Sequence, residues 1–191
     1  MFQVFTGQGD ARHGCATFYR RTRFTEVKHY KIAFRDYGKK FLDWQKRPEQ
    51  FRRLLQDNVA VVSILRFVGE TVVSGDPVVS DDPVSPVSRV YSLCVANTHI
   101  TSDPKYTDVK LWQVAVLLDA IENIAYPDVP VLFCWDLNSR PGSAPYELIM
   151  NGYIPSHLWP EDPTFVVAHT YQNGVLARGY IFHRLKLVVM R

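Results

Sequence analysis

Two polar residues, Asp136 and Asn138, directly follow a short apolar run in the stretch VPVLFCWDLNSRPGSAPY, residues 129–146. Residues 131–134 have the composition of a buried strand, and a proline and a glycine mark the turn that comes after it. In an open α/β sheet, ligands bind in the crevice beyond the carboxyl ends of the strands. At such an edge the Asp136 carboxylate can orient a water molecule or hold a cation, while the Asn138 amide hydrogen-bonds a substrate oxygen.

The same motif also fits a turn that binds nothing. In an Asp-x-Asn-Ser-x-Pro-Gly sequence the polar side chains can hydrogen-bond their own backbone, which is ordinary turn chemistry. The residues alone leave both interpretations open.

A second polar pair, Asn97 and His99, follows the apolar run VYSLCVA at residues 90–96. This run also predicts a buried strand. At its end, His99 can act as a switchable hydrogen-bond donor to a phosphate. A structural histidine whose ring nitrogens are satisfied within the fold also fits the sequence.

The segment between these two strands predicts a helix. Residues 107–124, TDVKLWQVAVLLDAIENI, carry apolar side chains at helical spacing, and Thr107 with Asp108 can cap the first turn. Trp112 is interpreted as core packing rather than as a base-stacking platform. Strand, helix and strand in this order predict a βαβ-like unit, although the pattern does not fix the relative direction of the strands.

The amino-terminal half predicts strands and loops. The first dozen residues are glycine-rich and predict either a loop or a torn edge of the fold, and residues 15–34 predict two or three short strands joined at residues 21–23. Three arginines at this junction, Arg20, Arg21 and Arg23, fit either a hairpin edge protected by charge or a phosphate-facing cluster. Residues 59–68 predict a strand buried on both faces, and the proline-rich residues 69–88 predict a surface loop insertion.

The composition indicates one globular domain. The chain has 191 residues, of which 47% are hydrophobic and 21% charged. Its net charge of +3 is compatible with a nucleic-acid or phosphate ligand but does not demonstrate one. Three cysteines without metal-type spacing predict reduced, buried thiols, and no run approaches the roughly 20 apolar residues of a membrane span. We therefore expect a cytoplasmic or nuclear protein with no membrane partner.

Five sequence blocks, in order and spacing, resemble the carbon catabolite repressor four deadenylases and their Angel relatives, in the endonuclease/exonuclease/phosphatase superfamily. The blocks are GCATFYR at 14–20, DNVAVV at 57–62, CVANTHI at 94–100, DPKYTDVKLWQ at 103–113 and DLNSRPGSAPYELIMNG at 136–152. The resemblance implies an α/β fold, a four-layer sandwich incomplete at both ends, over a single partial domain of residues 1–191 that matches best at 14–152.

The resemblance also implies Mg²⁺-dependent hydrolysis of phosphodiester bonds, typically 3′→5′ exoribonuclease removal of adenylates from the poly(A) tails of mRNA. It places the catalytic residues at Asp136, Asn138 and His99, and the substrate-binding residues at Asn97 and Pro104. The implied partners are single-stranded RNA and a deadenylase complex.

Several positions depart from the family pattern. Trp135 stands where the family has a glycine before its catalytic aspartate, and Gly179 stands where the family has the aspartate of an Asp-Tyr-Ile-Phe motif. The family's adenine-stacking phenylalanine has no counterpart in residues 171–178. We also expect the family's metal-binding glutamate and its carboxy-terminal Asp-His pair to lie outside this chain, so the metal ligands are not assigned.

These departures leave three hypotheses. The first is an active poly(A) deadenylase. The second is a catalytically impaired paralogue or fragment that acts as an RNA-binding or scaffold piece. The third keeps the fold but acts on a small nucleotide, as nocturnin-like phosphatases do. The proline at 104 favours RNA, whereas the missing stacking phenylalanine favours a smaller substrate.

Overall fold

A computed structural model describes residues 2–8, 13–41, 45, 48–68, 91–125, 129–159 and 187–190. These ranges contain seven strands, in the order β1 (Phe2–Gln8), β2 (His13–Tyr19), β3 (Phe24–Ala33), β4 (Val59–Phe67), β5 (Ser92–His99), β6 (Val131–Asp136) and β7 (Leu187–Met190). The helices are α1 (Phe34–Phe41), α2 (Pro48–Leu54), α3 (Thr107–Ala125) and α4 (Ala144–Asn151), with a 3₁₀ turn at Ser156–Leu158.

A five-stranded mixed sheet, in the order β3-β4-β5-β6-β7, forms the centre of the described structure. The pairs β3–β4 and β4–β5 are antiparallel, whereas β5–β6 and β6–β7 are parallel. Helix α3 connects the parallel strands β5 and β6, which confirms the predicted βαβ unit and settles the strand direction. The interior strand β4 is buried from Val59 to Ser63 and at Leu65, so the burial predicted for residues 59–68 is confirmed except at the end of the strand, where Arg66 and Phe67 are exposed.

The main core lies between one face of this sheet and the helices. Helix α3 contributes the largest share, because nearly every residue from Asp108 to Ile121 is buried. Trp112 is 1% exposed and meets the ring of Phe34 edge-on, with ring centroids 6.4 Å apart, which confirms its interpretation as core packing. Gly152 ends α4 in the left-handed conformation, at φ 73°, as a glycine after a helix commonly does.

The other face of the sheet carries a two-stranded antiparallel ribbon, β1–β2. Cys15 of β2 packs against Val59 and Val61 of β4, and the Asn97 amide donates a 2.8 Å hydrogen bond to the Ala16 carbonyl. Beside this contact the two sheets line a mainly apolar cavity of about 460 Å³ that opens to solvent, bordered by residues that include Leu93, Val95 and Cys134.

The amino-terminal half confirms part of the prediction. Two strands, β2 and β3, are joined by a turn at residues 21–23 as predicted, but they do not form a hairpin, since β2 pairs with β1 and β3 pairs with β4. The turn instead carries the chain from one sheet to the other. Residues 2–8 are not a loop: they form strand β1 at the edge of a sheet, because their backbone pairs along the whole of β2.

Other predictions lie outside the described residues, namely the loop insertion at 69–88 and the departures at 171–179. Within the described ranges, no helix is long and apolar enough to cross a membrane.

Candidate active site

His99 and Asp136 lie opposite each other where the parallel strands β5 and β6 end. They are register partners, and the Ile100 amide donates a 3.1 Å hydrogen bond to the Asp136 carbonyl, which extends the ladder by one bond. Nε2 of His99 lies 3.7 Å from Oδ2 of Asp136, and the two side chains are 57% and 63% exposed. A group approaching this edge from solvent can therefore reach both an imidazole and a carboxylate.

Asn138 is held in the loop directly after β6. Its backbone amide donates a 2.9 Å hydrogen bond to Oδ1 of Asp136, and its Nδ2 donates a 3.0 Å bond to the Ile100 carbonyl. Its φ of 44° is left-handed, a conformation that asparagine tolerates better than most residues do. The local turn chemistry predicted for this motif is thus present, and it uses Oδ1 of Asp136 while Oδ2 lies toward His99.

A buried amide network supports the end of β5. Gln113 of α3 is fully buried, and its Oε1 accepts a 3.0 Å hydrogen bond from the Thr101 amide. Its Nε2 donates to Oδ1 of Asn58 at 3.3 Å, and Nδ2 of Asn58 donates to the His99 carbonyl at 3.0 Å. The network ends on β5 and on the loop after it, so the backbone beneath the His99 side chain is fixed.

Lys110, in the first turn of α3, contacts both loops of the site. The residue is 5% exposed, and its Nζ donates to the Asn138 carbonyl at 2.7 Å and to the Ser102 carbonyl at 3.4 Å. Burial lowers the pKa of this ammonium, whereas the negative charges of Asp103 and Asp136 act in the opposite direction.

The two residues predicted to bind substrate lie in different places. Pro104 is exposed in the loop between β5 and α3, the loop that Lys110 joins to Asn138. Asn97 is half-buried at the cavity between the sheets, where its amide already bonds to Ala16. The structure thus places Pro104 beside the loop of Asn138 and uses Asn97 to join the sheets.

Comparison with known proteins identifies relatives of this chain, although no protein-family model matches it. The carbon catabolite repressor protein 4 homolog 2 of Arabidopsis thaliana is 38% identical over 162 residues, which cover 81% of this chain and 25% of that protein. The CCR4-Not complex 3′-5′-exoribonuclease subunit Ccr4 of Mycosarcoma maydis is 27% identical, over 84% of this chain and 24% of that protein. The crystal structure of ANGEL2, a 2′,3′-cyclic phosphatase, in complex with adenosine-2′,3′-vanadate superposes with a TM-score of 0.60 at 25% identity, covering 92% of this chain and 42% of that one.

The chain belongs to the CCR4/Angel branch of the endonuclease/exonuclease/phosphatase superfamily. Its fold is the α/β fold of that superfamily. The chain spans about a quarter of the length of the curated relatives it matches.

Trp135, which replaces the glycine expected in this superfamily branch, does not enter the site. Side chains alternate along a strand, so Trp135 lies on the opposite face from Asp136. Its indole packs edge-on against Phe133, with ring centroids 4.8 Å apart, at the margin of the helix-side core. The bulky residue therefore leaves the exposed edge at Asp136 open.

Members of this superfamily are generally dependent on a divalent metal, and the residues here fit part of such a site. An exposed carboxylate suits Mg²⁺, which binds proteins through one or two carboxylates and keeps several waters. Asp136 offers such a carboxylate. The described ranges contain no group of three or more histidine, cysteine, aspartate or glutamate side chains that could hold a metal.

The turn that carries Arg20, Arg21 and Arg23 lies at the far end of the sheet from the site. The Val68 amide, just beyond β4, donates to the Arg23 carbonyl, and nearby Arg66 pairs with Ser92 at the start of β5. Strand β5 is eight residues long and ends at His99, so its two ends are roughly 23 Å apart. At this distance the arginines do not contact a phosphate bound at Asp136. They do not protect the edge of a β2–β3 hairpin either, because these two strands do not pair with each other.

Sequence reasoning assigned no role to Lys110, Gln113 and Asn58. A usable signal exists for Lys110 and Gln113, because both are polar residues on a helix whose neighbouring positions are almost all apolar. Asn58, which directly precedes a buried strand, carries no comparable signal.

Proposed function

We propose that this chain is part of the catalytic domain of a Mg²⁺-dependent 3′→5′ exoribonuclease that shortens the poly(A) tails of mRNA. The observation that carries the proposal is the meeting of His99 and Asp136 at 3.7 Å across the ends of two parallel strands, with Asn138 fixed beside them. The relatives named as CCR4 homologues and as an exoribonuclease subunit support this substrate class.

Each of these three side chains has its own role in the hydrolysis of a phosphodiester. The Asp136 carboxylate accepts a hydrogen bond from a water molecule and aims it at phosphorus. The imidazole of His99 and the Asn138 amide donate hydrogen bonds to phosphate oxygens as negative charge develops there. Asn138 can do this because an amide nitrogen carries two hydrogens, of which Ile100 takes one.

Magnesium, when bound, would be held in part by Asp136 and would neutralise charge on the phosphate. The protein itself holds the side chains of Asp136, His99 and Asn138 at fixed positions. The buried network through Gln113 and Asn58 does this for β5, and the hydrogen bonds of Asn138 do it for the loop after β6.

The exposed proline at 104 provides a rigid apolar surface for an RNA base. Single-stranded RNA is recognised largely through bases that stack on flat or rigid side chains and through contacts to phosphates. Lys110 joins the loop of Pro104 to the loop of Asn138, and on this basis we assign to Pro104 a base close to the reacting phosphate. A deadenylase complex is the proposed setting.

A second candidate is hydrolysis of a small nucleotide bearing a 2′,3′-cyclic phosphate. The similarity to ANGEL2, at a TM-score of 0.60, favours this candidate. A third is an RNA-binding piece without catalysis, favoured by glycine at position 179 in place of an aspartate.

The experiment is a cleavage assay with 5′-labelled and 3′-labelled poly(A) RNA, in Mg²⁺ and in EDTA, with the Asp136→Ala variant alongside. The matched control is Asp36→Ala, which removes a carboxylate that is 72% exposed on α1. We expect stepwise shortening from the 3′ end that EDTA and Asp136→Ala abolish and Asp36→Ala preserves.

Two other results would decide for the alternatives. Cleavage of a 2′,3′-cyclic nucleotide without shortening of poly(A) would establish the phosphatase. RNA binding by a folded chain that cleaves neither substrate would establish the non-catalytic piece. Equal shortening by Asp136→Ala and the unchanged chain would refute the site itself.

A further inference from the structure

We propose that Lys110 is a positioning residue, whose ammonium fixes the loop of Asp136 and Asn138 against the loop after β5. The effect of Lys110 on catalysis rests on the function proposed above. The hydrogen bonds by which it joins the two loops do not depend on that function.

The first support is the placement of the charge. Lys110 lies on a helix whose surroundings are apolar, and only 5% of the residue is exposed. A buried ammonium is costly unless hydrogen bonds replace its water. Here the replacement comes from two carbonyls, those of Asn138 and Ser102, and one belongs to each loop of the site.

The second support is the constraint that the 2.7 Å bond places on Asn138. Asn138 has a left-handed backbone, and its backbone amide donates a hydrogen bond to Oδ1 of Asp136. The Asp136 side chain is 63% exposed, so packing does little to fix it. Its orientation depends on Asn138, and the orientation of the Asn138 carbonyl depends on Lys110.

The third support is electrostatic. The negative charges of Asp103 and Asp136, one from each loop, raise the pKa of Lys110, against the larger lowering by burial. These charges favour the charged form of the side chain whose two hydrogen bonds hold the loops together.

The test is Lys110→Met, which keeps most of the side-chain volume and removes the ammonium. The matched control is Lys31→Met, an exposed lysine on the edge strand β3. Two properties are measured, namely amide hydrogen exchange at Asn138 by NMR and the steady-state constants kcat and KM on poly(A) RNA with Mg²⁺.

In Lys110→Met we expect Asn138 exchange to accelerate at least about tenfold while exchange in the middle of α3 is unchanged. We expect kcat to fall by about 10-fold to 100-fold with KM nearly constant, because small displacements of a catalytic group cost rates of this order. Lys31→Met should change neither. A lysine with a merely structural role would lower the melting temperature but leave Asn138 exchange and kcat per folded molecule unaltered.

Unchanged exchange at Asn138, or faster exchange with an unchanged kcat, would overturn the inference. If the unchanged chain has no activity on RNA, the proposed function fails, and Asn138 exchange alone decides whether Lys110 positions the loop. If Lys110→Met does not fold, the unchanged protein provides the test. A coupling across the hydrogen bond between ¹⁵Nζ of Lys110 and the ¹³C carbonyl of Asn138 supports the inference, and its absence contradicts it.

Discussion

Nε2 of His99 and Oδ2 of Asp136 lie 3.7 Å apart, although the whole of helix α3 and two loops separate these residues in the sequence. The βαβ unit closes this separation, because α3 returns the chain so that β6 runs parallel to β5. The two strands therefore end at the same edge, which is where open α/β sheets bind their ligands.

His99→Ala should remove activity without affecting the fold. The side chain is 57% exposed, so we expect the free energy of unfolding to change by less than about 0.5 kcal/mol. Alanine has no hydrogen-bond donor, and loss of a donor to developing phosphate charge should lower kcat by about 10²-fold or more. The control is His29→Ala, on the edge strand β3, where the histidine side chain is 50% exposed. Equal loss in both variants would point to a general effect on the fold.

Asn138→Ala and Asn138→Gly should separate backbone strain from chemistry. Alanine keeps the unfavourable left-handed φ of 44° and loses the amide bond to Ile100. Together these should cost about 2 kcal/mol of unfolding free energy. Glycine relieves the backbone strain, although it lacks the side-chain amide just as alanine does. Urea unfolding should therefore show Asn138→Gly to be the more stable variant. Both should be inactive on RNA, and activity in the glycine variant would exclude a role for the amide.

Arg53→Met should destabilise the protein strongly. Arg53 pairs through two nitrogens with Asp108, whose side chain is 5% exposed, and its guanidinium stacks over Tyr106. The variant removes the guanidinium that neutralises a buried carboxylate, which typically costs about 3 kcal/mol or more. Lys39→Met breaks the exposed pair with Asp36 and should change the unfolding free energy by at most about 1 kcal/mol. Similar values for the two variants in urea unfolding would show that burial of Asp108 is unimportant.

Asp119→Asn should stabilise the protein in a pH-dependent manner. Burial raises the pKa of the Asp119 carboxyl above its ordinary value of 3.8. The folded state thus favours the protonated form, and ionisation at neutral pH costs stability. We expect the gain from asparagine to be largest at pH 7 and to shrink as the pH falls through the raised pKa toward 3.8, as measured by urea unfolding. Asp36→Asn is the exposed control, and a gain for Asp119→Asn that did not depend on pH would contradict the assignment.

The sequence determined the local features of this protein. Apolar runs, proline and glycine positions and helical spacing predicted β4, β5, β6 and helix α3. The polar residues at the ends of β5 and β6 identified the candidate site, because the residue types at the end of a buried strand are a local property of the chain. The five blocks were sufficient to place the chain in its family.

The tertiary structure decided the features that depend on pairing between distant segments. A glycine-rich start became strand β1 because β2 provides its hydrogen bonds, and the expected hairpin became a crossing between two sheets. The contact of Lys110 with Asn138 bridges 28 positions, and that of Gln113 with Asn58 bridges 55. Side-chain identity gives no information about such partners, since register and packing between distant segments select them.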